Sequence, residues 1–306
     1  MGRLTGRVAI VTGAGRGLGR EHALLMAKQG AAVVVNDLGS DTFGQGAERS
    51  PAESVVGEIQ AAGGTAVASH HDISDWDQAL ELVRFAITTF GDLHVLVNNA
   101  GILRDRALAN MNEGEWDAVI RVHLKGHAAM SRHAVAYWRE RAKGGHAVKA
   151  SVVHTTSVSG LLGNFGQANY GAAKLGIVAL SRIIAMEGSK YGVRSNAISP
   201  SARTRMTAEI PGADAQLAPP ADPNAFDPFH PGNVSPVVAW LAEESCPANS
   251  QIFQVIANRI YVMTMPTIAH RLDADGRWTA EQLDRELAGK LVTPLPTDAM
   301  FKDLLG

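Results

Sequence analysis

Cysteine is almost absent from this chain, since Cys246 is the only one among 306 residues. An internal disulfide is therefore excluded, which is typical of proteins from a reducing compartment. A lone thiol can act as a nucleophile, but no pattern of catalytic partners accompanies Cys246. We therefore expect it to be a buried structural residue.

Charge and long apolar runs are also scarce. The formal net charge is -2 and only 19% of the residues are charged, which argues against nucleic acid or a membrane surface as a partner. No apolar run reaches the roughly 18 residues needed to span a bilayer, and no signal peptide precedes the first strand pattern. We expect a cytoplasmic protein that acts on a small molecule.

Seven short runs rich in Val and Ile lack polar alternation, as expected of parallel strands buried on both faces. Helical patterns lie between them, and this alternation predicts an α/β fold with a Rossmann-type, doubly wound parallel sheet in residues 1–257. Residues 258–306 form a C-terminal extension with a helical pattern at Thr279–Leu291 and no assigned role. The predicted strands are Val8–Thr12, Ala32–Asn36, Thr65–Ser69, Val95–Asn98, Ser151–Thr155, Val193–Ile198 and Ile252–Ile256. The predicted helices include Leu18–Gln29, Ala52–Ala62, Trp76–Phe90, Glu115–Arg141 and Ala168–Lys190.

A long segment rich in Pro, Ala and Asp, residues 202–232, follows the sixth predicted strand. Loops of this length in a compact domain are usually lids or linkers. Its place at the ligand edge of the sheet favours a lid over the substrate.

A glycine-rich turn, Thr12–Gly19, joins the first strand to the first helix. Gly13, Gly17 and Gly19 allow a tight turn and leave helix-start N–H groups for a pyrophosphate. A simple tight connection is the alternative, but the turn lies between a strand and a helix, as the dinucleotide motif requires.

Asp37 follows the second strand, where a carboxylate accepts hydrogen bonds from adenosine ribose hydroxyls and repels a 2′-phosphate. Arg16 in the glycine-rich turn favours that phosphate instead. We side with Asp37 and expect NAD rather than NADP as the cofactor. Asp72 suits the adenine amino group or is a turn residue before Ser74, and Asn98–Gly101 either walls the cofactor or forms an Asn/Gly turn.

Tyr170 and Lys174 are four residues apart in a helical pattern and therefore share a face. A neighbouring ammonium favours the phenolate and lowers the pKa of a tyrosine from about 10. Ser157 lies just beyond the fifth strand, where its hydroxyl can hold a carbonyl or alcohol oxygen beside Tyr170. The three residues predict the chemical centre of an oxidoreductase.

These motifs together resemble the short-chain dehydrogenase/reductase family over roughly residues 5–257. The resemblance implies hydride transfer between a substrate and a nicotinamide cofactor, with Lys174 also reaching the cofactor ribose. It also implies dimers or tetramers packed through the helices near 115–141 and 168–190. The cofactor contacts that complete the predicted site are Leu18, Leu38, Ile73, Asn99, Ala100, Gly101, Tyr170, Pro200 and Thr204.

The chain departs from the family at His123, which stands where a catalytic Asn is common. That residue acts partly through its backbone carbonyl, so the resemblance implies that His123 can preserve the geometry. His123 and His127 also have the spacing of metal ligands, with His133 beyond. No Glu follows the first His, so we expect packing in a helix interface and no metal.

A closer resemblance concerns the (R)-3-hydroxyacyl-CoA dehydrogenase domain of peroxisomal multifunctional enzymes and its bacterial relatives. It implies NAD-dependent oxidation of a 3-hydroxyacyl-CoA to the 3-oxo thioester. A hydroxysteroid dehydrogenase, a 3-oxoacyl carrier-protein reductase and a nucleotide-binding scaffold without turnover are the alternatives. The segments that carry the resemblance are Val35–Gly39, Arg121–Gly126, Gly163–Tyr170, Ser201–Thr207 and Glu244–Cys246.

Overall fold

A computed structural model describes residues 2–46, 50–205, 217–266 and 268–291. The chain divides into two compact units, Met1–Val262 and Met263–Gly306. The first unit contains the nucleotide-binding motifs. The middle of the predicted lid, residues 206–216, lies outside the described residues.

Eight strands form one sheet within the described residues, in the order β3-β2-β1-β4-β5-β6-β7-β8. All pairs from β1 to β7 are parallel. The strand order reverses between β1 and β4, and ligands bind at the carboxyl ends of strands beside such a reversal. The strands are β1 (Val8–Thr12), β2 (Ala32–Asn36), β3 (Thr65–Ser69), β4 (Val95–Asn98), β5 (Ala150–Thr155), β6 (Val193–Ser201), β7 (Ile252–Ile256) and β8 (Arg259–Met263).

Helices cover both faces of this sheet, as the doubly wound prediction requires. In the described residues of the first unit, the helices are α1 (Gly17–Lys28), α2 (Ser50–Ala61), α3 (Trp76–Phe90), α4 (Glu113–Ile120), α5 (Gly126–Lys143), α6 (Val158–Leu161), α7 (Ala168–Gly188) and α8 (Ser235–Ala242). The second unit contains α9 (Ala280–Leu287). None of these helices is both long and apolar enough to cross a membrane.

The two faces of the sheet carry separate cores because successive strand residues point in opposite directions. In β1, Ala9 and Val11 pack on the side of α1, α2 and α8. Ile10 packs on the other side, with α3, α5 and α7. This two-sided burial explains the unbroken apolar runs from which the strands were predicted.

The fold class is confirmed, with two differences in detail. The eighth strand, Arg259–Met263, was missed although residues 260–263 are apolar, and it forms a largely exposed edge of the sheet. It follows β7 after a two-residue turn that contains Ala257 at a φ of 53°. The predicted helix over 115–141 is interrupted by a π-helical turn, Arg121–Lys125, between α4 and α5.

Candidate active site

The glycine-rich turn has a shape that only glycine permits. Gly13 and Gly17 adopt left-handed φ angles of 62° and 53°. A Cβ on Gly19 would lie 2.2 Å from the Gly13 carbonyl oxygen, so this position also excludes a side chain. At Gly17 the nearest atom to an added Cβ is the Thr204 methyl group, 3.8 Å away. Thr204 therefore lies against the turn, and its contact with the cofactor stays a prediction.

The N-terminus of α1 fits a phosphate group. Arg16 occupies the N-cap without a side-chain capping hydrogen bond, and the first turn holds no acidic residue. The N–H groups at the start of α1 and the positive end of its helix dipole therefore suit an anion. Leu18, in that first turn, packs against the core beneath it.

The segment after β4 is bound to the glycine-rich turn by hydrogen bonds. The Asn99 Nδ2 donates to the carbonyls of Thr12 and Gly13 at 3.1 and 3.2 Å. The N–H groups of Asn99 and Ala100 both donate to the Thr12 Oγ1, at 2.9 and 3.1 Å. The structure thus brings these two predicted cofactor contacts against Gly13, and their contact with the cofactor stays a prediction.

Asp37 stands at the carboxyl end of β2 with a fixed side chain. Its Oδ2 accepts from the Gly15 N–H at 2.8 Å and its Oδ1 from the Gly39 N–H at 2.7 Å. Each carboxylate oxygen keeps a lone pair for a ribose hydroxyl. Leu38 beside it is 36% exposed and available as a wall for the adenosine.

Sequence reasoning missed Arg205, which adds positive charge at this end of the site. Burial lowers its pKa first, and the neighbouring charge of Arg16 lowers it further. The Asp37 carboxylate acts in the opposite direction. Arg205 lies in the lid segment, so only the folded chain shows that it is close enough to Asp37 for their charges to interact.

The remaining predicted cofactor residues lie at other strand ends. Asp72 Oδ1 accepts from both the N–H and the Oγ of Ser74, at 2.8 and 2.7 Å, which matches the turn alternative and leaves Oδ2 for a ligand. Ile73 is buried, and its Cδ1 would lie 2.9 Å from a Cβ at Gly126. Pro200 is a half-buried residue near the end of β6.

The three predicted catalytic residues converge. Ser157 caps α6 after β5, and its side chain forms a hydrogen bond with Tyr170. The Lys174 Nζ lies 5.3 Å from the centre of the Tyr170 ring and donates to the Thr155 carbonyl at 2.7 Å. The turn after β5 and one face of α7 therefore bring the three predicted catalytic residues together in one candidate catalytic centre.

The pKa values at this centre differ from the sequence-based expectation. Burial raises the pKa of Tyr170 to about 12, the Ser157 hydrogen bond opposes that rise, and the Asp105 carboxylate adds to it. Burial also lowers the pKa of Lys174 to about 7. Desolvation therefore outweighs the expected effect of the ammonium on the phenol.

Asn169 is a fully buried residue that sequence reasoning missed. Its Nδ2 donates to the carbonyls of Arg104 and Glu115, both at 3.0 Å, while its Oδ1 accepts from the Tyr170 N–H at 2.7 Å. It thereby ties the start of α7 to two neighbouring segments and fixes Tyr170. Its position next to Tyr170 in the sequence was the signal that could have identified it.

Asp105 and Gln167 are two further residues near Tyr170 that sequence reasoning missed. The Gln167 Nε2 donates to the Asp105 Oδ2 at 2.6 Å, and the Arg106 N–H donates to the Gly166 carbonyl at 2.8 Å. Burial raises the pKa of Asp105. The loop after β4 is thus bound to the loop before α7 at the edge of the catalytic centre.

His123 lies in the π-helical turn and packs edge-on against Tyr170, with ring centres 5.2 Å apart. Its Nε2 is 3.0 Å from the Ile102 nitrogen and 2.8 Å from the Ile102 oxygen. A Cβ at Gly101 would lie only 2.3 Å from the His123 Cε1, so Gly101 makes room for this ring. Single π turns of this kind are frequent at functional sites.

The other candidate residues lie apart from this centre. Cys246 is buried and lines a surface cavity with Lys149 and Arg194. The His133 Nε2 forms a hydrogen bond with the Trp76 carbonyl rather than with another histidine. Across the described ranges no group of three or more His, Cys, Asp or Glu side chains is placed to hold a metal ion.

The fold and the site together define an oxidoreductase of the nicotinamide-dependent class that acts on CH–OH groups. Residues 7–214 match the short chain dehydrogenase family, and the chain belongs to that family.

Relatives and solved structures agree with this assignment. The chain is 44% identical to hydroxyacyl-CoA dehydrogenase ChsB1 of Mycobacterium tuberculosis, over 93% of this chain and 88% of that protein. It is 43% identical to mouse peroxisomal multifunctional enzyme type 2, over 84% of this chain but only 32% of that protein. A short chain dehydrogenase from Mycobacterium avium, 46% identical, superposes with a TM-score of 0.85 over 96% of this chain and 99% of that one.

Proposed function

We propose that this enzyme oxidises an (R)-3-hydroxyacyl-CoA to the 3-oxoacyl-CoA with NAD. The observation that carries the proposal is the convergence of Ser157, Tyr170 and Lys174. The substrate class comes from the relatives, one of which is named a hydroxyacyl-CoA dehydrogenase and aligns with almost the whole chain.

The chain's own residues handle the proton of the alcohol. Tyr170 takes the proton from the substrate hydroxyl, and Ser157 orients the oxygen between the two side chains. Lys174 favours the phenolate through its positive charge. Bound NAD supplies the hydride acceptor, and fixed positions and charges supply most of the rate enhancement.

The cofactor preference follows from Asp37. Its carboxylate is held by two backbone N–H groups and so cannot turn away from a 2′-phosphate without losing both bonds. The positive charges of Arg16 and Arg205 favour the 2′-phosphate of NADP and so oppose this preference. The ratio of kcat/KM with NAD to kcat/KM with NADP therefore measures whether the Asp37 carboxylate or the two arginines dominate. We expect a higher kcat/KM with NAD, and a smaller NAD advantage in Asp37→Asn.

The first experiment is a turnover assay with NAD, followed by the absorbance of the reduced nicotinamide. The substrates are (R)- and (S)-3-hydroxyacyl-CoA of several chain lengths and a set of steroid alcohols. We expect oxidation of the (R) thioesters and a fall in kcat of at least about 1000-fold in Tyr170→Phe, because the variant lacks the proton acceptor.

Other outcomes of this assay would redirect the proposal. Turnover of steroid alcohols alone would retain the mechanism and make the enzyme a hydroxysteroid dehydrogenase. NADPH-dependent reduction of 3-oxoacyl carrier protein would assign it to the reductases. Tight NAD binding without turnover of any substrate would contradict catalysis and favour a nucleotide-binding scaffold.

The proposal extends to the lid, the oligomer and the location. The described parts of the 202–232 segment are joined at their base, where the Arg203 N–H donates to the Phe229 carbonyl at 2.7 Å and the Arg203 and Asp227 side chains form an ion pair. We infer that this segment covers the substrate. We also infer a cytoplasmic homodimer or homotetramer.

A further inference from the structure

Asn169 forms three hydrogen bonds in the interior of the protein. It is the second residue of α7, and its side chain is fully buried. The Nδ2 donates at 3.0 Å to the carbonyls of Arg104, after β4, and of Glu115, in α4. The Oδ1 accepts from the Tyr170 N–H at 2.7 Å. A buried polar side chain whose partners lie in three segments stabilises one arrangement of those segments.

The amide of Asn169 matches its partners in number and kind. The Nδ2 faces two carbonyl oxygens and the Oδ1 faces an N–H, so one orientation of the side chain satisfies every bond. An ionised Asp has no donor, a Ser has one, and a Leu has neither donor nor acceptor. Backbone groups therefore determine which side chain suits this position, and two of these groups lie outside α7.

The bond to the Tyr170 N–H replaces a missing helix cap. Tyr170 is the third residue of α7, and the first N–H groups of a helix have no carbonyl partner within it. An N-cap side chain usually accepts from this position, but Gln167 at the N-cap makes no capping bond. Asn169 supplies the acceptor instead, and so fixes the backbone from which the phenol projects.

Gln167 holds the same loop at the next residue. Its Nε2 donates to the Asp105 Oδ2 at 2.6 Å, beside the bond from Asn169 to Arg104. Asp105 is exposed and Gln167 is 8% exposed, so this bond lies nearer to solvent than the bonds of Asn169. We therefore expect Gln167 to contribute less than Asn169 to the attachment of α7.

We propose that Asn169 is a positioning residue for Tyr170, whose amide holds the phenol beside Ser157 by joining the start of α7 to the loop after β4 and to α4. A displacement of about 1 Å at a reacting centre lowers the rate by about 100-fold. Gln167 assists by holding the same loop. The inference rests on the proposed role of Tyr170 as the proton acceptor.

The first test is the kinetics of alcohol oxidation in Asn169→Ala, with the substrate that the wild-type protein oxidises. The variant loses all three bonds without gaining a new polar group. We expect kcat to fall by about 10- to 100-fold, because the phenol is no longer held beside Ser157. The Kd for NAD, titrated without substrate, should stay within about threefold of the wild-type value, since the glycine-rich turn is unchanged.

Asn196→Ala is the matched control. Asn196 on β6 is also fully buried, with its Nδ2 donating to the Ala248 carbonyl at 2.9 Å and its Oδ1 accepting from the Gln251 N–H at 3.0 Å. These partners precede β7, at the edge of the sheet opposite the carboxyl ends of the strands. We expect this variant to lose thermal stability and keep the wild-type kcat. Equal losses of kcat in the two variants, or a wild-type kcat in Asn169→Ala, would overturn the proposal.

A second test asks whether Asn169 acts through Tyr170. In a Tyr170→Phe background the phenol oxygen is absent, so its placement no longer affects the rate. Adding Asn169→Ala should then change the residual kcat by less than about twofold. A further loss of about tenfold in the double variant would indicate a general disturbance of the site and contradict positioning.

Gln167→Leu tests the same attachment if Asn169→Ala does not fold. It removes the bond to Asp105 and leaves Asn169 intact, and we expect kcat to fall by about two- to fivefold. An unchanged kcat in Gln167→Leu would then overturn the proposal. Wild-type activity in Tyr170→Phe would refute the proposed role of Tyr170 itself. Full activity in Asn169→Ala beside an inactive Tyr170→Phe would refute the positioning role alone.

Discussion

At the scale of single residues, burial and charge oppose each other at the catalytic centre. Desolvation raises the pKa of Tyr170 and lowers that of Lys174, so each group resists the charged form that the chemistry needs. The hydrogen bonds from Ser157 and to the Thr155 carbonyl act against that resistance. Burying the Lys174 ammonium in this way lowers the free energy of unfolding.

Lys174→Met should therefore stabilise the ligand-free protein in a pH-dependent manner. The folded pKa of about 7 lies below the usual lysine value of 10.5, so the unfolded chain binds an extra proton between these values. The free energy of unfolding of the wild-type protein should therefore rise with pH across that window. Below pH 7 the protein should lack this gain in stability. Urea unfolding should show a larger advantage for Lys174→Met at pH 6 than at pH 9, and an equal advantage at both would contradict the low pKa.

Gly101→Ala tests the space that the site reserves for His123. The new Cβ would meet the ring at 2.3 Å, so the ring must move and its packing on Tyr170 must change. We expect kcat/KM to fall by about 10- to 100-fold, because small displacements of catalytic groups have effects of this size. Gly57→Ala is the control, since its Cβ meets nothing within 4 Å; it should leave activity unchanged.

At the scale of elements, α7 presents the catalytic centre on one face and apolar side chains on another. Tyr170 and Lys174 point inward, whereas Leu175, Ile183 and Met186 are 45%, 50% and 71% exposed. Large exposed apolar side chains grouped on a helix are typical of an interface. This observation supports the proposed oligomer through α7 and the helices near it.

Ile183→Asp should weaken that oligomer. A carboxylate in a closely packed apolar interface lacks a partner and is costly to bury. We expect a smaller particle in analytical ultracentrifugation than for the wild-type protein. Thr88→Asp on α3, exposed and outside the predicted interface, should not change the particle size. Identical sedimentation of all three proteins would contradict the interface.

At the scale of the whole molecule, several neutral histidines are built into the core. Burial holds the pKa of His22 and His154 at about 3 and those of His123 and His127 well below the usual value. The folded protein therefore excludes protons that the unfolded chain binds near pH 6.5. These side chains couple the stability of the entire fold to pH.

The protein should lose stability steeply in mild acid. Each of the four histidines favours the folded state above pH 6.5, and this contribution is lost as the pH falls toward the low folded pKa. The slope approaches about 1.4 kcal/mol per pH unit for each histidine. Urea unfolding between pH 7.5 and 5 should show this fall, and His22→Leu should reduce its slope. A stability that does not change over this range would refute the prediction.

The sequence by itself determined the parallel strands and the shared helix face of Tyr170 and Lys174. Strands buried on both faces must be continuously apolar, so β1 to β4 and β7 were predicted at their observed bounds. Tyr170 and Lys174 are neighbours through helix geometry, which needs no tertiary contact. The glycine-rich turn could also be predicted from the local sequence, because its glycines and the start of α1 lie within eight residues.

Only the tertiary structure decided how distant residues meet. The position of β8 as an exposed edge strand beside β7 is one such feature, because its apolar residues do not show which strand they pair with. The pairing of His127 with His154 joins residues from a helix and a strand, and the charge of Arg205 in the lid segment interacts with that of Asp37 after β2. The shifts in the pKa of Tyr170 and Lys174 were likewise beyond the sequence. Desolvation depends on how completely the folded chain surrounds a group, and no local pattern of residues records that enclosure.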